Sequence, residues 1–148
     1  MTFDDIVKII APCGLNCAKC QAYADGDIKL HAAELKRLLG SFDTYAERFS
    51  GFIPVFKSYP HFKELLNQFS KASCRGCRQG DCKHPDCGVA PCHKQKGLDF
   101  CFQCDEFPCK KTNFEPNLHQ RWLKMNQRLK EIGVKEYYEE TKDQPRYV

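Results

Sequence analysis

A mainly α-helical domain carrying a loop-rich, cysteine-ligated module, with few or no regular strands, is the fold this sequence predicts. Three observations carry that expectation. Apolar residues recur at intervals of three and four in separate stretches, the period of an amphipathic helix. Eleven cysteines sit in 148 residues, and eight of them fall between Cys74 and Cys109. Hydrophobic residues make up 42 % of the chain only when cysteine is counted. Without cysteine the share drops to about a third, which is thin for an unassisted core in so short a chain. The length fits a single domain, 1–148.

Taken in order, residues 9–23 form a first cysteine cluster, and Ile6 to Ala11 reads as a short extended segment leading into Cys13. Residues 28–71 form a cysteine-free helical insert. Within it, Ile28, Ala32, Leu35 and Leu39 define an amphipathic helix that runs to Gly40. A shorter helix is expected around Tyr45 and Phe49, capped by Ser41 or Asp43. Tyr59, Phe62, Leu66 and Phe69 repeat the stripe, with Pro60 in the first turn and Ser58 or Tyr59 outside it. Residues 74–109 are dense in Gly, Pro, Asp, Lys and Cys, and their only large aliphatics are Val89 and Leu98. Such a stretch cannot bury a core, so it reads as the main zinc module, disordered without metal. Residues 114–140 hold the C-terminal helices. Leu118, Trp122, Met125, Leu129 and Ile132 make the cleanest stripe, opened by Pro116 and closed by Gly133, and Val134 to Glu140 adds a turn or two. These stripes are core packing rather than a ligand box.

Cys17-Ala-Lys-Cys20, Cys74-Arg-Gly-Cys77 and Cys101-Phe-Gln-Cys104 are three CxxC pairs. Two intervening residues let both sulfurs face one ion about 2.3 Å away, with backbone N–H groups pointing at the thiolates. The cysteine count is odd, MTFDDIVKII is no secretory leader, and no apolar run is long enough to cross a membrane. A reducing, cytoplasmic setting and metal ligation are therefore expected in place of disulfides. The expected ligands are Cys13, Cys17, Cys20, Cys74, Cys77, Cys82, Cys87, Cys92, Cys101, Cys104 and Cys109. At four per structural zinc, eight cysteines give two ions, and eleven with one histidine give three. His84 and His93 are the candidate nitrogen ligands, whereas His31, His61 and His119 lie on predicted helices away from cysteine. Gly14, Gly76 and Gly88, in or beside these clusters, suit tight and sometimes left-handed turns.

The pairing stays open at this level. One arrangement joins Cys74 and Cys77 to two of Cys82, Cys87 and Cys92, and completes Cys101, Cys104 and Cys109 with a ligand from the first cluster. A cross-braced arrangement is equally allowed. At least one ligand set is expected to join Cys13, Cys17 or Cys20 to a residue beyond Cys74, clamping the helical insert. The all-thiolate donor set also suits an iron–sulfur cluster. The spacing of the amino-terminal triplet is the one radical-SAM enzymes use, but their β/α barrel needs length and alternating strands that this chain lacks. The ferredoxin run is missing too, since proline precedes the last cysteine in Phe107-Pro108-Cys109.

Formal net charge is +4, which mildly invites nucleic acid. Each zinc bound by four thiolates is a −2 unit, so two such sites would bring the chain to about zero. Basic residues in the module are interleaved with Asp81, Asp86, Asp99, Asp105 and Glu106. No aromatic RNA-binding platform or zinc-finger spacing appears. An unidentified protein partner is therefore expected ahead of nucleic acid, and no membrane.

Cys13-Gly-Leu-Asn-Cys17 near the start, Cys74-Arg-Gly-Cys77-Arg78 in the middle, and Lys96-Gly97 ahead of Cys101-Phe-Gln-Cys104-Asp-Glu-Phe-Pro-Cys109 form a specific combination. On these motifs the chain resembles a prokaryotic family of small, cysteine-rich, zinc-binding proteins known only as a domain of unknown function. The resemblance spans roughly residues 9 to 110. It implies a soluble protein that binds zinc through these cysteines, and it brings no activity, substrate or catalytic residue. The expected function is accordingly a zinc-binding interaction module whose metal is mainly structural. The alternative is a metal-dependent enzyme or iron–sulfur redox protein using Cys13, Cys17 and Cys20. No general base is evident for such an enzyme, because Asp25 and Asp27 read as loop carboxylates.

Overall fold

A computed structural model describes residues 1–80 and 82–148; Asp81, one of the interleaved acids, lies outside the described residues. Helices account for 60 % of the chain, and no sheet forms among the described residues. The helices are α1 (Phe3–Ile9), α2 (Asp27–Leu39), α3 (Phe42–Ser50), α4 (Tyr59–Ser70), α5 (Val89–Lys96), α6 (Pro116–Ile132) and α7 (Val134–Thr141). Short 3-10 turns at Cys17–Lys19 and Cys101–Gln103 each begin on the first cysteine of a CxxC pair, and the turn at Cys77–Gln79 begins on the second cysteine of its pair.

Two elements correct the sequence reading. Most of the segment expected to be extended, Ile6 to Ala11, belongs to α1. Its signal is a capping box: Asp5 N–H donates to Thr2 Oγ1 and the Asp5 carboxylate accepts from Thr2 N–H. Ile6 and Ile10, four residues apart, then share one buried face. Only Ile10 keeps extended pairing, in an isolated bridge to Asn16. The second correction is α5, a helix inside the stretch expected to be loop-rich. It has almost no apolar face, with Val89 its one buried residue, so periodicity could not reveal it. Gly97, in the left-handed conformation, ends it as a C-cap.

The insert folds as α2, α3 and α4. Phe42 is its hub, with the rings of Phe49, Phe56 and Tyr59 at centroid separations of 5.9, 5.4 and 5.1 Å. Of the residues assigned to its stripes, Ala32 and Leu66 are buried, but Leu35 and Phe62 remain 41 % and 42 % exposed. The stripes there face a layer one helix thick, which buries the central residues and covers only part of Leu35 and Phe62.

The remaining helices build the body. Ile6, Ile10, Phe100, Leu129, Val134 and Tyr137 form its core, and Ala11, Cys13, Cys17, Val89 and Trp122 form a second cluster beside it. Arg78 ties the cysteine segment to this body. Its guanidinium donates to the carbonyls of Val7 (2.7 Å), Ile10 (3.2 Å) and Asp99 (2.7 Å) and lies 5.2 Å from the centre of the Phe100 ring. One planar cation thus satisfies carbonyls at the end of α1 while stacking on a core aromatic.

Candidate metal centres

Two cavities collect all eleven cysteines. The smaller, about 40 Å³, is lined by Cys92, Cys101, Cys104 and Cys109 together with His93, Lys96, Phe107 and Trp122 among others. Cys92 comes from α5. Cys101 and Cys104 stand at the two ends of a 3-10 turn closed by Cys104 N–H donating to the Cys101 carbonyl (3.1 Å). Burial, with the charges of Cys109, Cys92 and Cys104 adding to it, pushes the Cys101 thiol up to about 11. The indole N–H of Trp122 works in the opposite sense, favouring the Cys101 thiolate. That Nε1 is buried without a hydrogen-bond partner among the described residues, as is Nε2 of His93. The other His93 nitrogen, Nδ1, lies 3.3 Å from the Leu98 carbonyl, and burial lowers the pKa of the ring. Lys96 Nζ donates to Cys104 Sγ at 3.2 Å and also pairs with Glu106. Lys111 first, then Lys96, hold the Glu106 carboxyl down at about 2.

The larger cavity, about 300 Å³, is lined by the other seven: Cys13, Cys17, Cys20, Cys74, Cys77, Cys82 and Cys87. Cys74 reaches the amino-terminal triplet by pairing with the chain beside Cys20. Its N–H donates to the Ala22 carbonyl and its own carbonyl accepts from Ala24, both at 2.8 Å. Gly76 N–H points at Cys74 Sγ (3.4 Å), the amide-to-sulfur contact that a CxxC turn offers. Burial pushes Cys13 up to about 12 and Cys17 to about 11, against the opposing pull of the Arg146 guanidinium. Burial also raises Cys77 and Cys87, each of which is within hydrogen-bonding reach of Cys82. The carboxy-terminal tail closes one side. Arg146 donates to the Asn16 carbonyl (3.0 Å), and the Tyr147 hydroxyl accepts from Gln21 N–H (3.1 Å) and faces Cys20 Sγ at 3.8 Å.

Helix α6 holds the two cavities side by side. Asn126, with no exposed surface, donates to the Cys13 carbonyl (2.9 Å) and accepts from Phe102 N–H (3.1 Å). Gly14, at φ +93°, lets the Cys13 loop lie against this helix; a Cβ there would sit 3.0 Å from Met125 Cβ. Gly88, expected in a tight and sometimes left-handed turn, is needed for a close approach instead. Its φ is −74°, and a Cβ would fall 1.9 Å from the Lys111 carbonyl oxygen. Glycine there lets the start of α5 touch residues 111–112, and Cys92 on α5 lines the same cavity as Cys109.

The donor chemistry fits a soft divalent metal. Four thiols surround the small cavity, and the buried Trp122 N–H beside Cys101 is placed to stabilise a thiolate. The thiols ring their cavities instead of meeting at a point. Among the described residues, the one trio of His, Cys, Asp or Glu with all ligand atoms within 4.8 Å of one another is Cys104, Asp105 and Glu106. Asp105 is 94 % exposed and Glu106 is engaged by two lysines, so that trio reads as a surface ion-pair network. No disulfide forms among the described residues.

The juxtapositions refine the open pairing. Cys74 stands with the amino-terminal triplet, so the first cluster and the later segment meet across the helical insert. The fourth cysteine beside Cys101, Cys104 and Cys109 is Cys92, not a member of the first cluster. His93 lines the small cavity and His84 the large one, where the His84 ring packs edge-on against Phe114. Asp27 begins α2 and pairs with Lys19, while Asp25 lines neither cavity. Sequence reasoning missed Trp122 Nε1, Arg78, Arg146 and Tyr147. Trp122 was legible only as a stripe residue, and no spacing rule marks the tail.

No helix among the described residues is long and apolar enough to cross a membrane. Comparison with curated proteins and with solved structures finds no match to this chain. A family profile described as a protein of unknown function (DUF3795) matches residues 9–114, from just before the first cysteine to just past the last. The chain therefore belongs to that family.

Proposed function

We propose that this protein is a cytoplasmic zinc-binding module whose thiolate sites are mainly structural and whose helical surface engages a protein partner. The observation that carries the reading is the small cavity. Cys92, Cys101, Cys104 and Cys109 come from two separate segments and line one cavity of about 40 Å³, the donor number of a closed structural zinc site. Lys96 beside Cys104 and the Trp122 N–H beside Cys101 supply the positive partners that such a doubly negative unit requires. The segment around it has few apolar side chains, so metal bonds take the place of burial in ordering it. The insert supports the binding role. It holds nine of the thirteen large apolar side chains that stand exposed among the described residues, Leu30, Leu38, Phe52 and Val55 the most open of them.

The test is metal analysis of protein purified without oxygen. The expected outcome is two or three equivalents of zinc and no visible absorbance. Stoichiometric iron with a brown chromophore would replace this reading with the iron–sulfur one.

A further inference from the structure

Seven is an awkward number of thiols for separate zinc sites. Two independent four-thiolate ions need eight, whereas two ions that share one bridging sulfur need seven. We propose that the large cavity is a binuclear thiolate centre for two soft divalent cations, bridged by the Cys13 sulfur, with Cys17, Cys20 and Cys74 on one ion and Cys77, Cys82 and Cys87 on the other. The proposal rests on the thiolate reading above and adds to it the nuclearity and the partition of ligands.

Three observations support it. The first is connectivity. Cys17 neighbours Cys20 and Cys74 and also Cys77, and Cys82 is within reach of both Cys77 and Cys87. Cys13, buried in the second core cluster, neighbours Cys17 in one group and Cys77 in the other. The second is size. The cavity holds about 300 Å³ against about 40 Å³ for the four-cysteine site. Two ions sharing a sulfur lie no more than about 4.6 Å apart, twice the zinc–sulfur bond. The third is charge. Seven thiolates and two divalent cations carry a net charge of about −3. Three cationic side chains line this cavity, Lys83, Arg121 and Arg146.

The whole chain, stripped and reloaded anaerobically with cadmium-113, tests this by nuclear magnetic resonance. Three resonances per chain are expected: two split by mutual cadmium–cadmium coupling through the shared sulfur, and one unsplit from the four-cysteine site. Cys109→Ser should perturb the unsplit resonance and leave the coupled pair. Cys13→Ser should abolish the splitting. Resonances with no coupling in the unmodified protein would overturn the binuclear centre while leaving the thiolate reading standing. A pair that stays coupled in Cys13→Ser would overturn the choice of bridge. A chain that takes up neither cadmium nor zinc would overturn the thiolate reading and this proposal with it.

Discussion

Between Asp27 and Ser70, α3, α4 and the 3-10 turn at Pro54–Ser58 gather aromatic side chains around Phe42, and α2 packs against α4. Between Cys74 and Cys109, one short helix and two 3-10 turns are held by carbonyls given to Arg78, by glycine contacts and by thiols facing cavities. The first region spends apolar surface and still leaves much of it in solvent. The second has little apolar surface to bury. The contrast separates two ways of fixing a backbone: shape complementarity among side chains, which is local and tolerant of change, and convergence of a few polar atoms, which fails when one is removed.

The largest test of that contrast is removal of metal by a chelator under reducing conditions. Amide protection should vanish across 74–109 and survive in α2 and α4, as read by residue-resolved hydrogen exchange. Equal loss in both regions would erase the distinction. Next comes pH. In the metal-free protein, burial holds the Cys13 and Cys17 thiols neutral up to about 12 and about 11, whereas unfolded thiols titrate nearer about 8.5. Folding therefore favours the protonated form. Its contribution is complete below the unfolded value and is lost as pH climbs through the folded values. Stability of the metal-free chain should fall between about pH 9 and 12, measured by denaturant titration. Acid should instead release metal from the loaded chain, since protons compete for the thiolates.

Phe42→Ala should cost about 3 kcal/mol by removal of a half-buried aromatic hub, lowering the melting temperature of the insert while leaving metal content unchanged. Arg78→Lys keeps the charge but cannot span three carbonyls and stack on Phe100. A loss of about 2 kcal/mol is expected, this time with faster exchange in 74–109. Arg128→Ala, which breaks an exposed pair with Glu140, should change stability by at most about 1 kcal/mol in either region.

How much of this was legible in the sequence follows the same divide. The helices of the insert and α6 could be placed because periodicity reports burial directly, and Pro116 and Gly133 bracket α6 as their chemistry requires. Leu35 and Phe62 show the limit: a stripe marks a face without saying how deeply it will be covered. In the cysteine segment the residue types mark thiol-rich loops, yet not which thiols share a cavity. Cys74 joined the amino-terminal triplet through a backbone bridge at Tyr23, and Cys92 shares a cavity with Cys109 beside the close approach of Gly88 to Lys111. Both are long-range contacts between loops, for which no local spacing rule exists. Helix α1 was missed for a nearer reason, since its capping box was present in Thr2 and Asp5 and went unread.

Asn126 is a polar residue on the apolar face of α6; besides donating to the Trp122 carbonyl on its own helix, it makes two bonds to loops that have a direction, donating to Cys13 and accepting from Phe102. Aspartate would keep the acceptor and set a lone pair against the Cys13 carbonyl. Leucine would keep the volume and strand both partners, and glutamine would add a methylene where there is no room. Variation at this position should therefore be narrower than at any neighbouring turn of α6, because a single side-chain amide sets the spacing between the loop at Cys13 and the loop at Phe102.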